Sequence, residues 1–267
     1  MAYKYGRRSP KRAPAIKFSA VLKTMPSYPS VDYLSQVSWD GTMNGNDQYG
    51  DCVACGWAND RLLVTTVLGS TPFRATEDQV LQFYKTQNPQ FPNDDNGMDI
   101  QTALETLVKD GGPDGAKALG FVQVDHTNLA EIKAAVSVFG SVIFGVNVAE
   151  AQQEQFSDNE AWDYVSKSPI EGGHCIVAGG HEDQSKDDLK AVTWARDIAL
   201  TDAFYSHQLE EAWAVIWPEH LGSKEFLAGM DLAQFASEYE TITGRQFPVN
   251  VTPEPAPPTP EPAPTPA

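Results

Sequence analysis

Asn46-Asp47-Gln48-Tyr49-Gly50-Asp51-Cys52-Val53-Ala54-Cys55-Gly56-Trp57 joins a polar, glycine-bearing loop directly to an apolar run. Asp51 is a helix-capping residue type. Val53, Trp57, Val64 and Leu68 follow at three-to-four-residue spacing until Gly69, so the run reads as a helix that opens at Cys52. The first N–H groups of a helix have no partner inside it, and the helix dipole there favours an anion. A thiol in that turn is therefore placed as a nucleophile. A half-buried cysteine that opens a helix by coincidence would look the same in isolation, so the reading depends on what else the chain supplies.

Three more amphipathic helices follow. Thr76-Glu77-Asp78-Gln79 is a capping-box pattern before Val80, Leu81, Phe83 and Tyr84. Asp99 opens a run through Ala103, Leu104, Leu107 and Val108 that stops at Gly111-Gly112, and Asn128 with Glu131 caps Leu129, Ile132, Val136 and Phe139. The pattern then changes. Val142, Phe144, Val146 and Val148 alternate, Cys175–Ala178 follows Gly172-Gly173, Ala191–Trp194 is short and β-rich, and Trp213–Trp217 stops at Pro218. Helices gathered before a run of strands predict an α+β fold, with a helical part over about 50–140, a sheet part over about 141–218 and a closing helix over about 223–243.

Charge and proline content mark the two ends. Residues 1–24 carry Lys4, Arg7, Arg8, Lys11, Arg12, Lys17 and Lys23 and no acid, whereas the whole chain has a net charge of −17. This segment is expected to be an extended basic arm lying across an acidic body. Nine of the 19 prolines fall in 248–267, which reads as a polyproline-type tail, leaving 25–247 as the folded domain. A body this acidic repels the nucleic-acid backbone, so no nucleic-acid partner is expected; a protein partner could engage the arm or the tail. No run is apolar enough to span a membrane and the start lacks a secretory signal, so no membrane association and a cytoplasmic location are expected.

A thiol nucleophile needs a base held on a rigid element, and Gly172-Gly173-His174-Cys175-Ile176-Val177-Ala178 sets a histidine at the head of a strand. Seven residues further, His181 and, next to His174, Cys175 should face the other side of a regular strand. His126, His207 and His220 lie in loop-like or helical surroundings and read as surface histidines. Cys52-Val53-Ala54-Cys55 has the spacing of a dithiol oxidoreductase or half a zinc site, but no strand precedes it and a fourth ligand is missing, so no cofactor and no metal are expected.

The order of these parts resembles that of the papain-like cysteine peptidases over about 40–218: an amide side chain, a cysteine at a helix start, a helical lobe, a histidine on a strand, and a further polar residue on the next strand. The resemblance extends to a divergent bacterial and bacteriophage group through Gly6-Arg7-Arg8-Ser9-Pro10-Lys11 and Gly45-Asn46-Asp47-Gln48-Tyr49-Gly50-Asp51-Cys52. It implies a helical lobe packed on an antiparallel sheet, Cys52 as nucleophile, His174 as base and Asn46, six residues before Cys52, as the oxyanion-hole amide. Cys55-Gly56-Trp57-Ala58 makes Cys55 the alternative nucleophile. Where the family carries Asn-Ser-Trp, this chain has Val192-Thr193-Trp194; Val192 cannot orient an imidazole, Thr193 is the nearest hydroxyl that can, and Asp183 and Asp197 are more distant choices. The implied activity is a cysteine peptidase or amide hydrolase acting on a peptide or protein substrate. The competing expectation is a fold relative without catalysis, serving as a binding or assembly module, virion-associated if phage-encoded.

Overall fold

The computed structural model describes residues 3–23, 29–69, 71–182 and 188–250. The proline-rich tail from 251 onward and Asp183 lie outside the described residues. Among the described residues, seven strands form one antiparallel sheet: β1 (Val31–Asp32), β2 (Gly120–Val124), β3 (Val142–Ala149), β4 (Ile170–His181), β5 (Leu189–Thr193), β6 (Arg196–Leu200) and β7 (Leu209–Ile216). The order across the sheet is β2-β7-β3-β4-β5-β6, with β1 added alongside the end of β4. Both faces are covered. Ile143, Val177, Val192 and Trp213 pack under the helices α2 (Cys52–Val67), α3 (Glu77–Tyr84) and α4 (Ile100–Lys109), while Phe144, Ile176, Ala191 and Ala212 pack on the other side with α5 (Leu129–Phe139). The expected α+β architecture of a helical region against an antiparallel sheet is what the chain forms.

Three caps act as their sequences imply, whereas Asp51, at the N-cap of α2, makes no side-chain cap bond. Thr76 and Gln79 make a reciprocal capping box, Asp99 accepts from the Thr102 N–H at 2.7 Å, and Asn128 accepts from the Glu131 N–H at 3.3 Å. Helix α2 departs from the amphipathic reading, because it is buried round most of its circumference, Asp60 and Arg61 included. Those charges are matched internally. Trp217 Nε1 donates to Asp60 Oδ2 at 2.7 Å, and Arg61 pairs with Asp114 and Glu219, each at 2.9 Å. Cys52 thus heads a helix fixed on all sides.

The N-terminal arm lies along the body and is anchored in it by its apolar residues. Ile16, Phe18 and Val21 enter the main core, the last two within a single helical turn, α1 (Phe18–Val21). Four further helices follow among the described residues, α6 (Glu150–Asp158), α7 (Asp202–Gln208), α8 (Lys224–Gly229) and α9 (Leu232–Thr243), the last two burying Phe226 and Phe235 in the main core. Among the described residues no helix is long and apolar enough to cross a membrane.

Candidate active site

Cys52 stands at the first position of α2 and is 1% exposed. Its thiol is within hydrogen-bonding reach of the main chain of Cys175 on β4 and of Gly6 in the arm. The turn before it is locked by Asn46, whose amide Nδ2 donates to the Tyr49 carbonyl and Asp51 Oδ1, each at 3.1 Å, and more weakly to the Lys4 carbonyl at 3.4 Å. The two hydrogens of that amide are thus engaged by the loop and the arm. Cys55, one turn on, points its thiol at the Met43 and Asn44 carbonyls, at 3.7 and 4.0 Å. Asn46, Cys55, Cys175 and Thr193 line one small crevice beside this turn.

His174 is buried on β4, opposite Val146 of β3. Its Nε2 lies 2.6 Å from Thr193 Oγ1 at the end of β5, and its Nδ1 has no hydrogen-bond partner. In the tautomer protonated at Nε2, the ring donates to the threonine and keeps a free lone pair on Nδ1. Trp194 stacks on the imidazole, with centroids 4.5 Å apart. Trp194 and Ala195 are the two loop residues of the β5–β6 hairpin, with φ of 45° and 62°, a primed turn made without glycine. Such backbone costs on the order of 1 kcal/mol or more per residue, and here it holds an indole over the histidine.

The other candidates separate cleanly. Val192 lies in the core opposite Val177, and Asp197 is exposed on β6. Cys175 turns away from His174, as alternation requires, and packs on Gly56 of α2. His181 does not: a register shift between Ala178 and Gly180 changes the parity of β4, so His181 lands on the same face as His174, 2.8 Å from Ser137 Oγ of α5. His220 is not a surface residue either, being fully buried between the Phe139 carbonyl and the Trp217 N–H. Among the described residues no cluster of three or more His, Cys, Asp or Glu side chains is arranged to hold a metal ion.

The arm crosses this site. Gly6 N–H and Arg7 N–H both donate to the Gly173 carbonyl, at 3.2 and 2.9 Å, while the Gly6 carbonyl accepts from Met98 N–H at 2.7 Å. Gly6 fits only because it has no side chain: a Cβ there would stand 1.7 Å from the Gly50 carbonyl oxygen. Tyr5 meets the edge of His174, with centroids 5.9 Å apart. Sequence reasoning missed this placement, since nothing local in Tyr5-Gly6-Arg7 announces a partner more than forty residues away.

Burial reverses the acid–base state expected of a helix-start thiol. Desolvation pushes the Cys52 thiol up to about 12, with nearby Asp51 adding to the rise, and outweighs the helix dipole. Desolvation also pulls His174 down to about 3, helped by the Arg7 guanidinium. With the arm in place both groups are therefore neutral across the physiological range.

No protein-family model matches the chain, and no curated protein sequence does. Solved structures do match its fold. Xylellain, a cysteine protease from Xylella fastidiosa, superposes with a TM-score of 0.55 at 14% identity, over 80% of this chain and 96% of that one. Procathepsin B S9 from Trypanosoma congolense gives 0.56 at 12%, over 80% and 86%. Digestive procathepsin L2 from the larval midgut of Tenebrio molitor gives 0.57 at 13%, over 80% and 78%. At such identities the likeness concerns architecture alone, and the chain has the fold of the papain-like cysteine-protease superfamily.

Proposed function

We propose that the chain is a cysteine peptidase or amide hydrolase with Cys52 as nucleophile and His174 as base. The observation that carries this reading is His174 itself, fixed through Nε2 by Thr193 with Nδ1 left unpartnered, on the strand whose next residue meets the Cys52 thiol through its main chain. In the reaction His174 takes the thiol proton and the Cys52 thiolate adds to the acyl carbon. The Cys52 N–H holds the oxyanion, joined by the Asn46 amide once one of its hydrogens leaves the Tyr49 carbonyl or Asp51 Oδ1. The imidazolium then protonates the leaving amine, and water, deprotonated by the same ring, clears the thioester.

Thr193 is a positioning residue in this scheme. Thr193→Val removes the acceptor at Nε2 and should lower kcat about tenfold, the scale of about 1.4 kcal/mol, with little change in KM. Thr193→Ser should restore most of the loss; equal rates for the wild-type and valine forms would remove the threonine from the mechanism.

The direct test treats the full chain carrying Gly6→Val, whose arm cannot reseat beneath Gly50, with a peptide-based, thiol-directed electrophile and maps the adduct by mass. A single adduct on Cys52, absent in His174→Ala, is expected. Labelling of Cys55 or Cys175 instead, or of all three only after denaturation, would overturn the assignment. A second reading is favoured by one feature, the arm seated in the cleft with both reactive groups neutral. In that reading the chain is a non-catalytic binding or assembly module of a bacterial or bacteriophage system. It gains if Cys52 stays unreactive after the arm is displaced.

A further inference from the structure

Arg7 is the one basic residue of the arm that is buried. Its Nη2 bonds Glu210 Oε2 at 2.6 Å and Asn147 Oδ1 at 2.9 Å, and its Nη1 meets Glu211 Oε1 at 3.3 Å. The pocket that receives it is built rather than incidental. Between β3 and β7 the register shifts, Gly145 facing Glu211 and Val146 facing Leu209, so that Glu210 is the extra residue of a bulge and both glutamates reach one guanidinium. Trp213 Nε1 fixes Glu211 from behind at 2.8 Å. Gly145 makes the floor: a Cβ there would stand 2.7 Å from Arg7 Cδ, in the space the arginine stem fills.

Two adjacent carboxylates, one of them 1% exposed, are costly to bury without a cation. The pocket is thus incomplete when empty. It opens off the same strip of main chain, the Gly173 carbonyl, that binds the backbone of Gly6 and Arg7 beside Cys52 and His174. We propose that Asn147, Glu210 and Glu211 form a side-chain subsite of the cleft that selects a basic residue, arginine above lysine, in an extended polypeptide, and that Arg7 is its internal occupant. The preference for arginine follows from its planar fork, which can meet several oxygens at once where an ammonium presents a point charge. The inference rests on the cleft being a substrate cleft, as in the reading above.

The test uses the full chain carrying Gly6→Val, which cannot reseat the arm beneath Gly50, and Cys52→Ala, which prevents turnover. Fluorescence anisotropy then follows a labelled Tyr-Gly-Arg-Arg-Ser-Pro peptide and its twin with citrulline, neutral and near-isosteric, at the first arginine. The arginine peptide should bind at least tenfold more tightly, lysine should fall between, and Glu210→Gln with Glu211→Gln should erase the gap. Equal affinities, or no binding of either peptide, would overturn the subsite. As a measurement that does not need the valine variant, Arg7→Met in the otherwise native chain should speed hydrogen exchange at the Gly6 and Arg7 amides at least tenfold; unchanged protection would also overturn it. Hydrolysis is scored separately with Cys52 restored. Arginine-selective binding without cleavage sinks the peptidase reading and keeps the subsite, whereas cleavage without arginine preference does the reverse.

Discussion

Gly6→Val is expected to raise the rate of iodoacetamide capture at Cys52 about a thousandfold at pH 7. The thiolate is the reacting form, so the rate follows its population. Under the arm the thiol sits at about 12, chiefly because it is desolvated. Uncovered at a helix start it should return to about 8.5 or below, the ordinary value for a free cysteine, a change of more than three decades in thiolate at neutral pH. The valine forces the change because even a Cβ at this position meets the Gly50 carbonyl oxygen at 1.7 Å. Only the first part of the arm should leave, since Ile16, Phe18 and Val21 remain anchored in the core. Departure of Arg7 also removes a positive charge that disfavours the imidazolium of His174. Cys55 and Cys175, buried elsewhere in the packing, serve as internal references and should stay slow. The outcome that would sink the argument is a Cys52 rate no higher than theirs in a variant whose arm amides exchange freely.

How far the sequence carried these conclusions depends on the range of the interactions involved. The start of α2 at Cys52, the caps at Thr76, Asp99 and Asn128, and the alternation in β3 are written within a few residues of one another, and each forms as read. The contact between His174 and Thr193 is legible because they lie on neighbouring strands, Thr193 closing β5, and Val192 has no polar atom to offer. What could not be read involves distant partners or parity. β2 is completed by β7, some ninety residues later, and its short run Gly120–Val124 carries no turn signal strong enough to mark it. A single register shift turned His181 around, and another gathered Glu210 and Glu211 into one pocket. The same holds for the Cys52 thiol, because the helix dipole that would lower it is local and the burial that raises it is not.

The residue before the nucleophile gives the second large effect. Asp51 is fully buried; Oδ1 accepts from Asn46, Oδ2 lies against Gly45, and desolvation raises its carboxyl to about 8 despite the Asn46 bond. Its ordinary value in an unfolded chain is about 3.9. Between these two values the folded protein holds a proton that the unfolded chain has released, so the contribution of Asp51 to stability is full below about pH 4 and is lost as pH rises toward 8. His174 and His220, lowered by burial to about 3 and about 4, act with the opposite sign and weaken the fold as pH falls below about 6.5. Subtraction isolates the aspartate. Asp51→Asn keeps the shape and the oxygen that Asn46 contacts but cannot ionise, so relative to this variant the native chain should lose about 3 kcal/mol of unfolding free energy between pH 5 and pH 7.5, at roughly 1.36 kcal/mol per unit. Urea titrations at the two pH values read the difference, and parallel pH profiles for the two proteins would show that Asp51 is already ionised in the fold. The proton matters for chemistry as well as stability, since it is the ionised Asp51 that adds to the rise of the Cys52 thiol. A chain that keeps this carboxyl neutral spares its nucleophile an adjacent anion at the moment the thiolate has to form.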